Sequence, residues 1–368
     1  MKTLTVLLLS VIVAGCRPQP ALEFAASPAV VALAEEATDE EEKQTAQQLQ
    51  ELIAQKLDEL CGTPQKIKLL TDPTADAVHL QRGAAVYQRR CVQCHGVNGD
   101  GNGPVGKYLY PLPRDYTKGI FKFTSTPWGS KPRRSDLVRT LRMGISGTAM
   151  PAFDRLSHAD LEAVVDYVIA LSQRGELEGE LAYIAADEGE LDDELIEEAV
   201  DKVVTSWNEA ESQLVLPVSR MPEMTDESVA QGRELFLKQA CNKCHGTDGR
   251  GGFFGNVEVT PDSWGHKTAA ADLTSGMFHG GGRPIDIYRR IYTGINGTPM
   301  PGFANTFQQN PEAIWHLVHF IKDTGERRRR NLPPYQFAEQ AAGAGNGDAV
   351  DEADGDDDGQ NDDEADAS

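Results

Sequence analysis

An all-α protein made of two similar helical domains in tandem is what this sequence of 368 residues predicts, from three observations. The first is an internal repeat with an offset of 150 residues. Asp136 matches Asp286, Arg139 matches Arg289, and Gly144-Ile145 matches Gly294-Ile295. Gly147-Thr148, Met150-Pro151, Phe153, Ala163 and Val168 recur as Gly297-Thr298, Met300-Pro301, Phe303, Ala313 and Val318. Solenoid repeats have periods of about 20–50 residues, so this offset marks a duplicated domain. The second observation is helical spacing of apolar residues. Leu161, Val164, Val165, Val168 and Ile169 form one stripe, and Ile314, Leu317, Val318 and Ile321 another. The third is how charge is partitioned. The net charge is −22, yet residues 62–174 carry 16 bases against 9 acids, and residues 213–347 carry 14 against 13. The acids gather in 175–212 and 348–368 instead. Compact bodies with an acidic linker and an acidic tail follow, and a uniformly acidic protein is excluded.

The elements follow in chain order. Lys2 and the apolar run Leu4–Ala14 have the length of a signal-peptide core and fall short of a membrane span. Val13-Ala14-Gly15-Cys16 resembles the lipobox of bacterial lipoproteins. That resemblance implies export, lipidation at Cys16, and attachment to the periplasmic side of a bacterial membrane; the alternative is a plain secretory signal with an incidental cysteine. Residues 1–15 are thus read as signal, and 16–60 as a tether with a helix near 43–60. The first repeat unit spans 61–174, the acidic linker 175–226 with a helix over Asp192–Glu209, and the second unit 227–330. Residues 331–368 are read as a disordered acidic tail. Helices are expected over 78–92 and 228–242, from Ser157, and from Asn310-Pro311. Gly83 and Gly232 are placed to let helices cross closely.

Four of the six cysteines form Cys91-Val92-Gln93-Cys94-His95 and Cys241-Asn242-Lys243-Cys244-His245. C-x-x-C-H is the attachment pattern of c-type haem. Two thiols three positions apart add to the vinyl groups of one porphyrin, and the adjacent histidine ligates the iron. A redox dithiol or a zinc site sharing both pairs are the alternatives. The immediate His after both pairs, and export, favour two covalent haems on Cys91, Cys94, Cys241 and Cys244, with His95 and His245 axial. Met150 and Met300 each lie 55 residues beyond their histidine in Gly-Thr-x-Met-Pro, and are read as the sixth ligands. Met143 has no counterpart, since Thr293 stands there. His158, His266, His279, His316 and His319 are assigned surface or core roles, and Cys61 is read as a buried structural thiol.

Each half resembles a class I-type cytochrome c domain over about 78–173 and 228–324. The resemblance implies N- and C-terminal helices crossing beside the haem. It also implies a proline carbonyl accepting the proximal histidine's N–H, at Gly103-Pro104 in the first half. The second half has Gly252-Phe253-Phe254-Gly255 there. Pro113–Tyr116 and Phe121–Pro127 resemble bacterial respiratory cytochrome c subunits.

With both axial positions filled, the expected function is outer-sphere electron transfer between redox-protein partners, with no catalytic residue and no small-molecule substrate. The alternatives are a di-haem peroxidase or a sensor with one open iron. Arg133, Arg134, Arg139 and Arg142 are read either as a docking patch for an acidic partner or as partners of the chain's own carboxylates or haem propionates. Arg327–Arg330 is left between a propionate, the acidic linker and lipid. The acidic tails argue against nucleic acid.

Overall fold

The computed structural model describes residues 22–251 and 261–335. The readings on the signal segment, on Cys16, on Gly252–Gly255 and on the tail beyond 335 lie outside them. Eleven α-helices form the described residues, with one two-residue hairpin at 62–67. No described helix is long and apolar enough to cross a membrane.

The first domain is built on α3 (Ala77–Arg90) and α6 (His158–Glu188), the second on α8 (Asp226–Lys238) and α11 (Ala313–Arg329). Short helices α4 (Val92–His95) and α9 (Asn242–His245) carry the two histidines. Helices α5 (Arg134–Met143) and α10 (Pro284–Thr293) precede the methionine loops. The caps are those the sequence encodes. Ser157 Oγ accepts from Asp160 N at 3.1 Å to start α6, and Thr225 Oγ1 accepts from Ser228 N at 3.1 Å to start α8. In α5 and α10 the third-residue carboxylates reach back: Arg133 N donates to Asp136 and Arg283 N to Asp286.

The glycines do what their spacing implies. A Cβ on Gly83 would strike the Ala163 carbonyl and lie 2.9 Å from Tyr167 Cβ. One on Gly232 would strike the His316 carbonyl and lie 2.8 Å from Phe320 Cβ. Each crossing is therefore backbone to backbone, and each domain packs its own core around it.

Four expectations are corrected. From residue 22 the tether holds two helices rather than the single docked helix expected near 43–60. Helices α1 (Pro28–Glu35) and α2 (Glu40–Cys61) dock on α6, burying Val30, Ile53, Leu57 and Cys61 in the first core. The residue-174 boundary also fails, because α6 runs unbroken to Gly189, whose φ of 73° ends it. Helix α7 (Asp193–Ser212) then folds back against α6, with Trp207 Nε1 donating to Glu176 Oε1 at 2.7 Å. Most of the acidic linker thus belongs to the first domain, and the true connection is residues 213–225. Helix α11 starts at Ala313 rather than Pro311. Three-residue turns, such as Ala313 N to Asn310 O at 3.2 Å, occupy the expected first turn. Finally, residues 331–335 are not loose: the Tyr335 ring packs tilted against Phe320 with centroids 5.2 Å apart, and its hydroxyl bonds Asp323 at 2.5 Å.

Candidate functional site

Each C-x-x-C-H segment is a single helical turn. His95 N bonds Cys91 O at 2.9 Å, and His245 N bonds Cys241 O at 2.9 Å, so both cysteines and the histidine share one turn. All four cysteines are free thiols. Burial pushes Cys91 up to about 12 and Cys241 up to about 11. A redox dithiol needs a lowered thiol, so these environments oppose that reading. Nor do the two pairs meet. Among the described residues no three His, Cys, Asp or Glu side chains form a metal-holding cluster, which removes a shared four-sulfur zinc site.

The entry to each motif differs by one residue, as the sequence spacing Gly83-Tyr87-Cys91 against Gly232-Phe236-Cys241 requires. Cys91 N bonds four residues back to Tyr87 O at 2.8 Å, whereas Cys241 N bonds five back to Phe236 O at 3.0 Å. The extra residue is absorbed by Ala240, held at φ 56°. Tyr87 and Phe236 keep equivalent buried places.

The proximal acceptors are not at Gly103-Pro104. His95 Nδ1–H donates to Arg114 O at 3.1 Å, and His245 Nδ1–H to Ala271 O at 3.1 Å. A carbonyl only accepts, so Nδ1 carries the proton in each ring and Nε2 keeps its lone pair for a metal. Burial lowers both imidazoles, favouring that neutral form. Identical turns hold the two carbonyls. Asp115 Oδ1 accepts from Thr117 N at 2.8 Å and Oγ1 at 2.6 Å; Asp272 Oδ1 accepts from Thr274 N at 2.9 Å and Oγ1 at 2.6 Å. Tyr116 N and Leu273 N then pin the turns to Gly99 O and Gly249 O, at 2.6 and 2.8 Å. The repeated Asp-x-Thr was the available signal. Its offset is 157 rather than 150, so comparison at one fixed offset passes over it.

The methionine loops superpose bond for bond. Met150 N donates to Thr148 Oγ1 at 3.1 Å, and Ile145 N to Met150 O at 3.1 Å. In the second loop Met300 N donates to Thr298 Oγ1 at 3.2 Å, and Ile295 N to Met300 O at 3.1 Å. Gly144 and Gly294 sit at φ 64° and 74°, and a Cβ there would lie 2.8 and 2.7 Å from the Met150 and Met300 carbonyls. Met150 and Met300 are half-buried, whereas Met143 is 55% exposed. Two thiols and an oriented imidazole in each domain are the donor set that a covalent haem requires.

The other polar candidates are accounted for inside the chain. Arg133 meets Glu211, Arg134 meets Glu162 and Asp166, and Arg139 meets Asp286 at 3.1 Å. Of the two readings of these arginines, pairing with the chain's own carboxylates holds for Arg133, Arg134 and Arg139. The basic run is spent likewise. Arg327 donates to Pro333 O, Arg328 to Asp272, and Arg329 and Arg330 to Glu326. His158 and His266 are exposed, His316 and His319 bond Ser228, and Cys61 is buried with its thiol pushed up to about 12.

Residues 78–168 match the family model described as cytochrome c oxidase, cbb3-type, subunit III, and residues 229–325 match the model described as cytochrome c. Among solved structures, the Kuenenia stuttgartiensis reducing HAO-like protein complex contains a similar chain. It is 29% identical, with a TM-score of 0.52, and the match covers 66% of this chain and 96% of that one. No curated protein matches the chain. Two C-x-x-C-H turns, two oriented imidazoles and two family matches in register with the repeat lead to one assignment: the chain carries two cytochrome c domains in tandem, haem-binding modules of electron transfer.

Proposed function

We propose that this chain is a di-haem electron carrier, lipid-anchored at Cys16 to the periplasmic side of a bacterial membrane, serving as the cytochrome subunit of a larger oxidoreductase assembly. The carrying observation is the pair of methionine loops, which repeat the same bonds at the same distance in sequence from each histidine. Bound haem supplies a one-electron Fe(II)/Fe(III) couple. Cys91, Cys94, Cys241 and Cys244 hold the two porphyrins. His95 and His245 present Nε2, their rings fixed by the Arg114 and Ala271 carbonyls. Met150 and Met300 complete the ligand sets, so substrate finds no open position and the protein relays electrons. The similar chain in a complex supports a role as a subunit.

Spectra of the purified holoprotein test this. Two low-spin haems that stay with the denatured chain, with the weak far-red band of methionine ligation when oxidised, are expected. Met300→Ala should convert one haem to high spin and leave the other untouched. A high-spin haem in the resting wild type would instead indicate a peroxidase-type enzyme. For the anchor, Cys16→Ser should move the protein from the membrane fraction to the soluble fraction. Retention on the membrane would remove lipidation from the proposal.

A further inference from the structure

We propose that Trp264 is the bridge across which the two haem sites exchange electrons. The inference rests on both domains binding haem as proposed above. It starts from a continuous chain of contacts that joins the sites.

The first link lies in domain one. Arg114 gives its carbonyl to the His95 ring, and its guanidinium carbon lies 3.7 Å from the centre of the Trp264 ring, across the domain boundary. The second link lies in domain two. The same indole covers Gly297, where a Cβ would fall 2.6 Å from the ring, and Ser263 N donates to Gly297 O at 2.9 Å. Gly297 is in the loop that presents Met300. One side chain therefore touches the holder of the proximal histidine of one site and the methionine loop of the other.

The bridge is held rigidly. Asp262 Oδ1 accepts from Trp264 N at 3.1 Å, Lys122 pairs with Asp262 at 3.1 Å, and Lys118 donates to Ser263 O at 2.9 Å. Lys122 also sits 5.4 Å from the indole centre. Two cations over one ring favour the neutral indole over its oxidised form. Trp264 thus conducts without being oxidised: the electron given up at one iron is the one accepted at the other, and the indole ends unchanged. Among the described residues the reverse pairing has no such chain. Ala271, which holds His245, offers no side chain to stack, and the Met150 loop meets His279 at Gly147.

The test uses the full-length holoprotein, half-reduced, with electron exchange between haems read from broadening of their methyl proton signals. Midpoint potentials and spin state are measured alongside. Trp264→Leu should slow exchange by about tenfold or more, and Trp264→Phe should keep most of the rate. Potentials should hold in Trp264→Phe. Unchanged exchange in Trp264→Leu, with both haems low-spin, would overturn the bridge alone. Should Trp264→Leu lose Met300 ligation, Arg114→Ala decides, because it removes the stack and leaves the backbone carbonyl on His95. Slowed exchange there supports the bridge, and unchanged exchange overturns it. A wild-type chain without two haems would overturn the haem reading, and the bridge with it.

Discussion

Gly232 sets how close α8 and α11 come, because hydrogen is the only substituent that fits against the His316 carbonyl. Gly232→Ala must push the helices apart or bend a side chain off its rotamer. The expected loss is about 2 kcal/mol, read from denaturant unfolding, and Gly83→Ala should behave alike in the first domain. Ala240 offers the opposite case. Its φ of 56° is a left-handed conformation that a Cβ disfavours by about 1–2 kcal/mol. Glycine removes that cost but gains freedom in the unfolded chain, so Ala240→Gly should stabilise by about 0.5–1 kcal/mol in the same measurement. The glycines and the need for a slip were legible in the sequence. The two glycines fall at matching places in the repeat, and the slip before Cys241 announces that one residue must be absorbed. Which residue absorbs it, and in what conformation, was not legible, since Gln239 and Ala240 both stand at the slip.

At the level of elements, the same helix crossing carries different polar clasps in the two domains. In the first, His79 Nε2 meets Asp166 Oδ2 at 2.8 Å. In the second, Ser228 Oγ lies between His316 Nδ1 at 2.7 Å and His319 Nδ1 at 2.6 Å. A hydroxyl has one proton, so one imidazole accepts from it and the other donates to it. His319 is 2% exposed, its Nε2 has no partner among the described residues, and burial holds its pKa below the ordinary value. With a depressed folded pKa, the unfolded chain binds the proton first. Stability is therefore full above about pH 6.5 and declines as pH falls below it. Melts of the second domain at about pH 7.5 and about pH 5.5 should show a lower midpoint in acid, and His319→Gln should flatten that difference. An equal slope in the variant would assign the acid sensitivity elsewhere.

Across the whole molecule, the two domains face one another through the helices that the repeat made equivalent. Arg139 of α5 bonds Asp286 of α10 at 3.1 Å, and Arg289 of α10 feels the charge of Asp136. Arg290 donates to the Lys122 and Thr124 carbonyls, and Asn296 bonds Gly129 N at 3.0 Å. Burial lowers Arg290 to about 10, yet its bonds keep it in place. The connecting segment joins in: Val215 N donates to Ser125 O at 2.8 Å, and Trp315 Nε1 to Ser219 O at 3.1 Å. Asp286 is 2% exposed and also accepts from Arg283. Asp286→Ala strips a buried carboxylate from two guanidinium groups, so a loss of about 3 kcal/mol is expected, with the two domains melting as separate transitions. Calorimetry checks both parts, and a single unshifted transition would contradict them.

The sequence by itself determined the duplicated helical domains, the C-x-x-C-H turns, the repeated Gly-Thr-x-Met-Pro loops and the close-crossing glycines. Each of these is local or recurs at a fixed offset, so spacing and side-chain chemistry suffice to find it. Only the tertiary structure decided that α6 and α7 carry the acidic stretch back onto the first core. It also decided that Arg133, Arg134 and Arg139 serve intramolecular carboxylates, and that the Arg114 and Ala271 carbonyls hold the His95 and His245 rings. These facts depend on which distant segments meet, as do the ion pairs between domains and the indole between the two sites. Charge and hydrogen-bonding capacity can be read from a chain, but a partner far away in sequence is chosen by packing.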